Sequence, residues 1–488
     1  MNLPIYSHLQ KLKEENRTPF HMPGHKRKTS GLFHDIEAMD ITEIDGYDNL
    51  HDPRGIIRQS MDEMKKIYGT RESWYLVNGT TVGILASVSA ICQPGDKIII
   101  GRNCHKSVYN IIRLLHLRAF YLFPSENENY DILEDFGEKE RKNLKEILEQ
   151  NGNIKAVLIT SPTYEGVVSD IAALKEILKP YNIPLIVDEA HGAHFMFHEY
   201  FPESAVKCGA DLVIQSTHKT LPSFTQTAVL HLCSDCIPSE RIQEMLAIYE
   251  TSSPSYILMA SAEYGIMYMH NYPEKVGEYV DNLQIFRGKC GQLKHIHLLS
   301  EKDLACFDYD KGKLVFCVKN TEMDGKKLFQ ILLSEYNLEL EMVTCSYGIA
   351  MTSVCDEKED FDYLFNALYE IDLNLDKSER NKDFLAEKSA DEKEKHRNIN
   401  NTWNFSIEKK LESWEALERE KEEITLTQAE GRICGDYILL YPPGIPLLIP
   451  GEKIVKEIVE NLSFYLYNGY NVLGMKKDII SVLKEKNR

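Results

Sequence analysis

What this 488-residue sequence lacks most plainly is a long apolar run. No stretch approaches the ~20 consecutive apolar residues that cross a bilayer, and the amino-terminal "MNLPIYSHLQKLKEENRTPF" has no apolar core of the kind that drives secretion. A cytoplasmic protein without membrane contact is the expectation. An excess of positive charge is also missing, with 56 Lys and Arg against 75 Asp and Glu and a formal net charge of −19. Nucleic acid and acidic membrane surfaces need clustered cations, so neither is an expected partner. The 11 cysteines are scattered and odd in number, which suits reduced thiols rather than a disulfide framework. Their one C-x-x-C, Cys233 and Cys236, has no second pair and no histidines at matching spacing, so no metal is expected there. Internal repeats are absent, and the one biased tract is a charged stretch near residue 380.

The rest is ordinary for a soluble globular chain, with 43% hydrophobic and 27% charged residues. The length implies several domains. From about residue 70 to 235, short runs rich in Val and Ile ("KIIIG" 97–101, "AFYLFP" 119–124, "KAVLIT" 155–160, "IPLIVDEA" 183–190, "ADLVIQS" 210–216) alternate with helical stretches such as "HKSVYNIIRLLHLR" (105–118), "ERKNLKEILEQNG" (140–152) and "DIAALKEILKPYN" (170–182). That alternation predicts a mostly parallel sheet covered by helices. After residue 255 a long Met- and Tyr-rich helical region follows, read as packing or a subunit contact. Residues 303–375 give a smaller α/β pattern with strand 312–318, helix 324–337 and strand 338–344. The charged stretch 376–398 reads as a solvated helix or linker. The expected division is therefore 1–260, 261–375, a linker at 376–400, and 401–488.

Within the large domain, "QSTHKTLP" (215–222) breaks off an apolar run, which places Lys219 just past the carboxyl end of a buried strand. In open α/β sheets that edge is where ligands bind, although most lysines after a strand are simply solvated. Other strand ends carry suggestive groups. Asn78-Gly79-Thr80-Thr81 opens a helix, where free N–H groups, hydroxyls and a glycine suit a phosphate as well as an ordinary cap. His105 opens the next helix and is placed to lie on a bound ring or to act as a cap. Asp188 ends the strand 183–187, where a carboxylate needs a cation or a ring N–H as partner. Asp188 and Lys219 are one strand-helix-strand unit apart, which puts both on one sheet edge. A lysine, a phosphate cradle and a carboxylate for a ring nitrogen together describe pyridoxal 5′-phosphate. A rival reading takes Asp188, Glu189, His191 and His194 as metal ligands. It lacks the H-E-x-x-H order and leaves the glycine-threonine loop and "STHK" unexplained.

The motifs "TPFHMPGHK" (18–26), "DITEIDGYDNLHDPRGII" (40–57), "VNGTTVGI" (77–84), "RNCHKS" (102–107), "DEAHGAH" (188–194), "STHKTLPSFTQTAVLH" (216–231), "TSSPSY" (251–256) and "YPPGIPLLIPGE" (441–452) resemble those of the bacterial ornithine/lysine/arginine decarboxylases. The resemblance covers about residues 1–260 and 405–455. It implies the fold type I architecture of pyridoxal-phosphate enzymes: a mostly parallel α/β domain, a smaller α/β domain and a carboxyl-terminal α+β domain. It implies Lys219 as the Schiff-base lysine and Ser216 and His218 as phosphate contacts, with His218 also near the reacting carbon. Gly79, Thr80 and Thr81 would hold the phosphate, His105 would stack on the ring, and Asp188 would pair with its nitrogen. His191 stands in the cofactor site where enterobacterial members often carry tryptophan. The substrate expectation is a small basic amino acid (lysine, arginine or ornithine) that loses carbon dioxide to leave a diamine or polyamine precursor, with Lys219 or His218 returning the proton. Asp436 and Glu452 are the candidates for the distal cation. The family's large inducible enzymes carry an amino-terminal wing domain, for which the motif at residue 18 leaves no room, so a homodimer is expected. An aminotransferase or retro-aldolase would use the same Lys and Asp but normally an arginine in the small domain, and residues 303–375 contain none. A non-catalytic homologue would be expected to have lost one of the pair.

Overall fold

The structure is a computed structural model that describes residues 1–15, 18–27, 33–319, 321–382, 407–440 and 444–485. Its centre is a seven-stranded sheet in the spatial order Glu72–Leu76, Ala228–Leu232, Leu212–Gln215, Leu185–Asp188, Ile154–Thr160, Lys97–Gly101, Arg118–Leu122. Only the Ala228–Leu232 strand runs against its neighbours; the pairings from Leu212–Gln215 outward to Arg118–Leu122 are parallel. The inner strands read as unbroken apolar runs because helices cover both faces, and the pleat divides each run between two cores. Ile98, Ile100, Ile186, Leu212 and Ile214 face the core shared with the Gly79–Ile91 helix, while Ile99, Leu185, Val187 and Val213 face Leu144 and Leu174 of the helices on the other side.

The expected strands and helices of this domain are all present, with shifts at their ends. The run at 183–190 is a strand only over Leu185–Asp188, and the helix expected over 105–118 stops at Leu114. The Met- and Tyr-rich region is two helices, Tyr256–Asn271 and Pro273–Cys290. The first runs unbroken through residue 260, and its buried Met259, Ile266 and Met269 join the core under the large sheet. Packing against the large sheet thus continues across residue 260 and on to Val276 of the second helix. Glu263 on this helix accepts the Ile5 and Tyr6 N–H groups at 3.1 and 3.0 Å, tying down the Pro4–Glu14 helix.

The small domain is a four-stranded antiparallel sheet ordered His297–Leu298, Lys313–Cys317, Tyr347–Met351, Met342–Val343. Of the strand expected over 338–344 only Met342–Val343 pairs, and Tyr347–Met351 supplies the central partner instead. Just before Lys313, Asp308–Tyr309 pairs antiparallel with Val167–Val168, and Asp310 N–H donates to the Gly166 carbonyl at 2.8 Å. This splice ties the start of the Lys313 strand to the loop that follows Thr160. Of the expected linker, residues up to 382 continue the helix Lys358–Lys382, and 383–400 lie outside the described residues, as do 441–443 of the proline motif. The carboxyl-terminal part is α+β. Lys421–Thr425 pairs with Ile479–Leu483, a three-stranded sheet contains Pro446–Leu448, Ile438–Leu440 and Val472–Leu473, and Lys456–Tyr467 packs as a helix in the same core.

This last domain is fixed to the large one by Arg102, fully buried just past the Lys97–Gly101 strand. Its guanidinium donates to Glu452 through Nε (3.2 Å) and Nη2 (3.1 Å), to the Pro446 carbonyl (2.6 Å) and to the Leu447 carbonyl (3.2 Å). Glu452, equally buried, also accepts the Ile449 N–H at 2.7 Å. Removing one partner of such a pair strands the other charge, whereas removing both does not. Arg102→Met and Glu452→Gln are each expected to lose ~3–5 kcal/mol, read as a drop in unfolding midpoint. An Arg102→Met/Glu452→Met double variant should recover most of that loss.

Candidate active site

Five segments following strands of the large sheet converge at its carboxyl edge. Register places Asp188 level with Thr160 on one side and Ile214 on the other. Asp188 is 3% exposed; its Oδ1 accepts the Ala190 N–H at 3.2 Å, and among the described residues it has no ion-pair partner. Burial pushes its pKa up to about 6, with the Lys219 charge opposing. After Gln215 the chain passes Ser216 and makes a single helical turn, Thr217–Thr220, which carries Lys219. Burial lowers the Lys219 pKa, while Asp188 and then Glu341 pull it back. Ser216 Oγ is buried with no hydrogen-bond partner among the described residues. His218 Nδ1 lies 2.7 Å from the Thr227 carbonyl, which can only accept, so that nitrogen carries the proton and Nε2 keeps a lone pair. Burial also lowers the His218 pKa.

The helix Gly79–Ile91 begins at the same edge. Gly79 has φ +71°, a left-handed conformation that suits glycine, and its N–H donates to the Gln226 carbonyl at 2.9 Å. The Asn78 side chain does not cap the helix, so the first-turn N–H groups of Thr80 and Thr81 point outward without intrahelical acceptors. Of the three phosphate candidates, Thr80 and Thr81 therefore have N–H groups to offer, while that of Gly79 is used in shaping the turn. His105 caps the Lys106–Leu114 helix, its Nδ1 accepting from Ser107 N–H at 3.3 Å. Partial enclosure, then the charges of Lys219 and Lys106, lower its pKa, so a neutral ring faces the crevice.

His191 stands at the centre of the site. Its Nε2 lies 2.8 Å from Lys219 Nζ and its Nδ1 lies 2.7 Å from Lys313 Nζ. Tyr164 packs over it with ring centroids 4.5 Å apart, and the Tyr164 hydroxyl donates to Glu341. Lys313 and Tyr164 went unnoticed in the sequence. Lys313 opens the strand "KLVFC" and reads as a solvated strand end, yet it is 1% exposed. Tyr164 follows Thr160 at a strand's carboxyl end, the signal that marked Lys219 and Asp188, and reading that loop in the same way would have found it.

The two expected substrate contacts each have a cation partner within the protein. Glu452 is fully buried and bound to Arg102, so its charge is already neutralised. Asp436 pairs with Lys421 at 2.8 Å inside the carboxyl-terminal domain. The rival metal set is drawn apart as well. Glu189 accepts from Ser204 Oγ, Ala205 N–H and Gln215 Nε2, and His194 Nε2 lies 3.1 Å from Asp310. Cys233 and Cys236 are free thiols.

The donor set fits pyridoxal 5′-phosphate: a lysine amine, a buried carboxylate lacking a cation, an unpartnered serine hydroxyl and an open helix start. Lys219, Asp188, Ser216, Thr80 and Thr81 would hold it, with His105 against its ring. Among the described residues no helix is long and apolar enough to cross a membrane.

Comparisons with known proteins agree with this architecture. The profile of the Orn/Lys/Arg decarboxylase major domain matches residues 3–335, and that of the family's carboxyl-terminal domain matches residues 399–487. The uncharacterized protein YaaO of Bacillus subtilis is 32% identical across 100% of this chain and 98% of its own length. An arginine decarboxylase of the same organism is 29% identical across 99% and 98%. Among solved structures, the Francisella novicida lysine decarboxylase LdcF superposes with a TM-score of 0.83 at 20% identity, covering 99% of this chain and 81% of that one. The Bacillus subtilis ureidoglycine-glyoxylate aminotransferase shares the large-domain fold more distantly, with a TM-score of 0.51 at 13% identity over 66% of this chain and 85% of that one. The two profile matches and the full-length relatives place this fold type I chain in the Orn/Lys/Arg decarboxylase family, a family of amino-acid carboxy-lyases.

Proposed function

We propose that the protein decarboxylates a basic amino acid, with pyridoxal 5′-phosphate bound through Lys219 and arginine as the first substrate to test. The observation that carries the reading is Asp188, a buried carboxylate without a cation at the sheet edge that also carries Lys219. The full-length relative named arginine decarboxylase favours arginine over lysine and ornithine. When bound, the cofactor ring supplies an electron sink for the pair left behind as carbon dioxide departs. Asp188 keeps a positive ring nitrogen charged, which makes that sink effective. Thr80, Thr81 and Ser216 anchor the phosphate, and His105 fixes the tilt of the ring. Lys219 and His218 Nε2 stand ready to return a proton to the α-carbon. The distal cation of the substrate meets Glu341, whose charge already acts on both Lys219 and Lys313. A homodimer working in the cytoplasm and feeding polyamine synthesis completes the reading.

Purified protein supplied with pyridoxal phosphate should release carbon dioxide from one basic amino acid and not from glutamate. A Lys219→Ala variant should fall to background. A Schiff-base absorbance with no release from any basic substrate would point to another reaction. Glu341→Gln should raise KM for that substrate about 10- to 100-fold, the value of a charge-assisted contact, with a smaller change in kcat.

Asp188 also predicts a pH signature in the cofactor-free protein. Its folded pKa is raised to about 6, so between about pH 4 and 6 the folded chain keeps a proton that the unfolded chain has released. Its contribution to stability therefore falls as pH rises through that window. The unfolding midpoint of Asp188→Asn relative to wild type should climb from pH 4 to 6 and level off above. The same variant should bind the cofactor at least ~10-fold more weakly.

A further inference from the structure

Lys313 is a buried lysine for which no carboxylate lies within ion-pair reach among the described residues, a placement that ordinarily carries a heavy desolvation penalty. Its stem packs against Gly166, where a Cβ would come within 2.9 Å of Lys313 Cγ and where φ is +104°. The glycine and the Asp310–Gly166 splice thus hold the amine in one place, 2.7 Å from His191 Nδ1. The opposite nitrogen of the same ring lies 2.8 Å from Lys219.

The chemistry of imidazole restricts this line of three groups. A neutral ring has one N–H and one lone pair. If both lysines were ammonium ions, each would need a lone pair from the ring, and one of them would press N–H against N–H. A charged ring would leave both nitrogens as donors beside two amines. Burial, then Lys313 and Lys219, hold His191 well below its ordinary pKa, so the ring is neutral and one lysine is a free amine.

We propose that Lys313, acting through His191, takes up the proton that Lys219 must lose to become a nucleophile. In one form the Lys219 ammonium donates to Nε2, and Nδ1–H donates to the Lys313 amine. In the other, Lys313 is the ammonium ion donating to Nδ1, and Nε2–H points at the Lys219 amine. Interconversion moves one proton onto Nε2 from Lys219 and one from Nδ1 to Lys313. Net charge is unchanged, and no ion leaves the buried site. The surroundings suit such an exchange. Asp188 and Glu341 face Lys219, and Asp310, Glu341 and Glu165 act on Lys313. His105 and His218 add like charge to the ring only when protonated, and the pKa of each is lowered. Burial first, with Lys219 adding to it, brings the Lys313 pKa down to about 8, within reach of exchange.

The proposal rests on Lys219 being the cofactor lysine, and that assignment is tested separately: borohydride reduction of the loaded enzyme followed by peptide mapping must place the pyridoxyl group on Lys219. The relay itself is read in the cofactor-free full-length chain, from the pH dependence of Lys219 acetylation by trace acetic anhydride, quantified by mass spectrometry. Lys313→Met keeps the apolar stem and removes the proton acceptor, so the Lys219 midpoint should rise by at least one pH unit, a roughly tenfold loss of free amine near neutrality. Lys313→Arg restores a permanent donor to Nδ1, which keeps Nε2–H toward Lys219, so its midpoint should stay at or below that of wild type. An unmoved midpoint in Lys313→Met, or Arg behaving like Met, overturns the relay. If Lys313→Met fails to fold, Lys313→Gln, which likewise lacks an amine able to take up a proton, must raise the Lys219 midpoint; no rise overturns the proposal equally.

Discussion

A carboxylate buried at the end of a parallel strand, with no ion-pair partner among the described residues, is the constraint around which this molecule is organised. Asp188 is unfavourable where it stands, as its raised pKa shows, and only a positively charged partner would relieve it. Nothing in strand pairing requires an acid there, since Thr160 and Ile214 flank it in register without ion pairing. The rest of the sheet edge repeats this pattern of polar groups kept ready. Among the described residues Ser216 Oγ lacks a hydrogen-bond partner, the helix at Gly79 opens uncapped by Asn78, and the Lys219 amine meets an imidazole nitrogen and the face of Tyr164. Stability set aside in this way at one edge of an otherwise close-packed sheet marks a binding site.

The carboxyl-terminal domain braces this edge chiefly through a buried ion pair, with Tyr437 packed beside Lys106 and Tyr109. Arg102 lies three positions before His105, and its guanidinium is saturated by Glu452 and two carbonyls of the Pro446–Leu447 segment. The loop from the strand to the His105 helix therefore has its course fixed from outside the large domain, so the domain contributes to the site by bracing His105. The small domain reaches the site in a parallel way. The Asp308–Tyr309 and Val167–Val168 pairing braces the Tyr164 loop and brings Lys313 beside His191.

The large domain was legible in the sequence because it obeys local rules: apolar runs of strand length, helices of regular period, and polar residues just past strand ends. Lys219, Asp188, Ser216, His105 and the Gly79 turn could all be read in that way. Lys313 was invisible because its burial is a tertiary fact, created by Gly166 and by a strand pairing 140 residues away in sequence (Val168 with Asp308). The surroundings of Glu452 were illegible for the complementary reason. An acid in a glycine-proline motif resembles a ligand group, and only the fold reveals that Arg102, 350 positions earlier, pairs with it. The Tyr347–Met351 strand went unread because "YGIAM" is short and interrupted by a glycine, and it gains strand structure from its neighbours on both sides.

Local charge at the site runs against the charge of the whole. The chain carries −19 overall, yet its crevice gathers Lys219, Lys313, His105, His191 and His218 around one unpaired acid. Three neutral imidazoles limit the charge of that cluster, and Asp188, Asp310 and Glu341 act on its two lysines. Glu341 accepts from the Tyr164 hydroxyl and Glu165 from the Tyr347 hydroxyl. In the reading proposed above, that gathering of cations suits an amino acid whose positive tail reaches Glu341 better than one with an acidic tail, whose two negative ends would compete for the same cations.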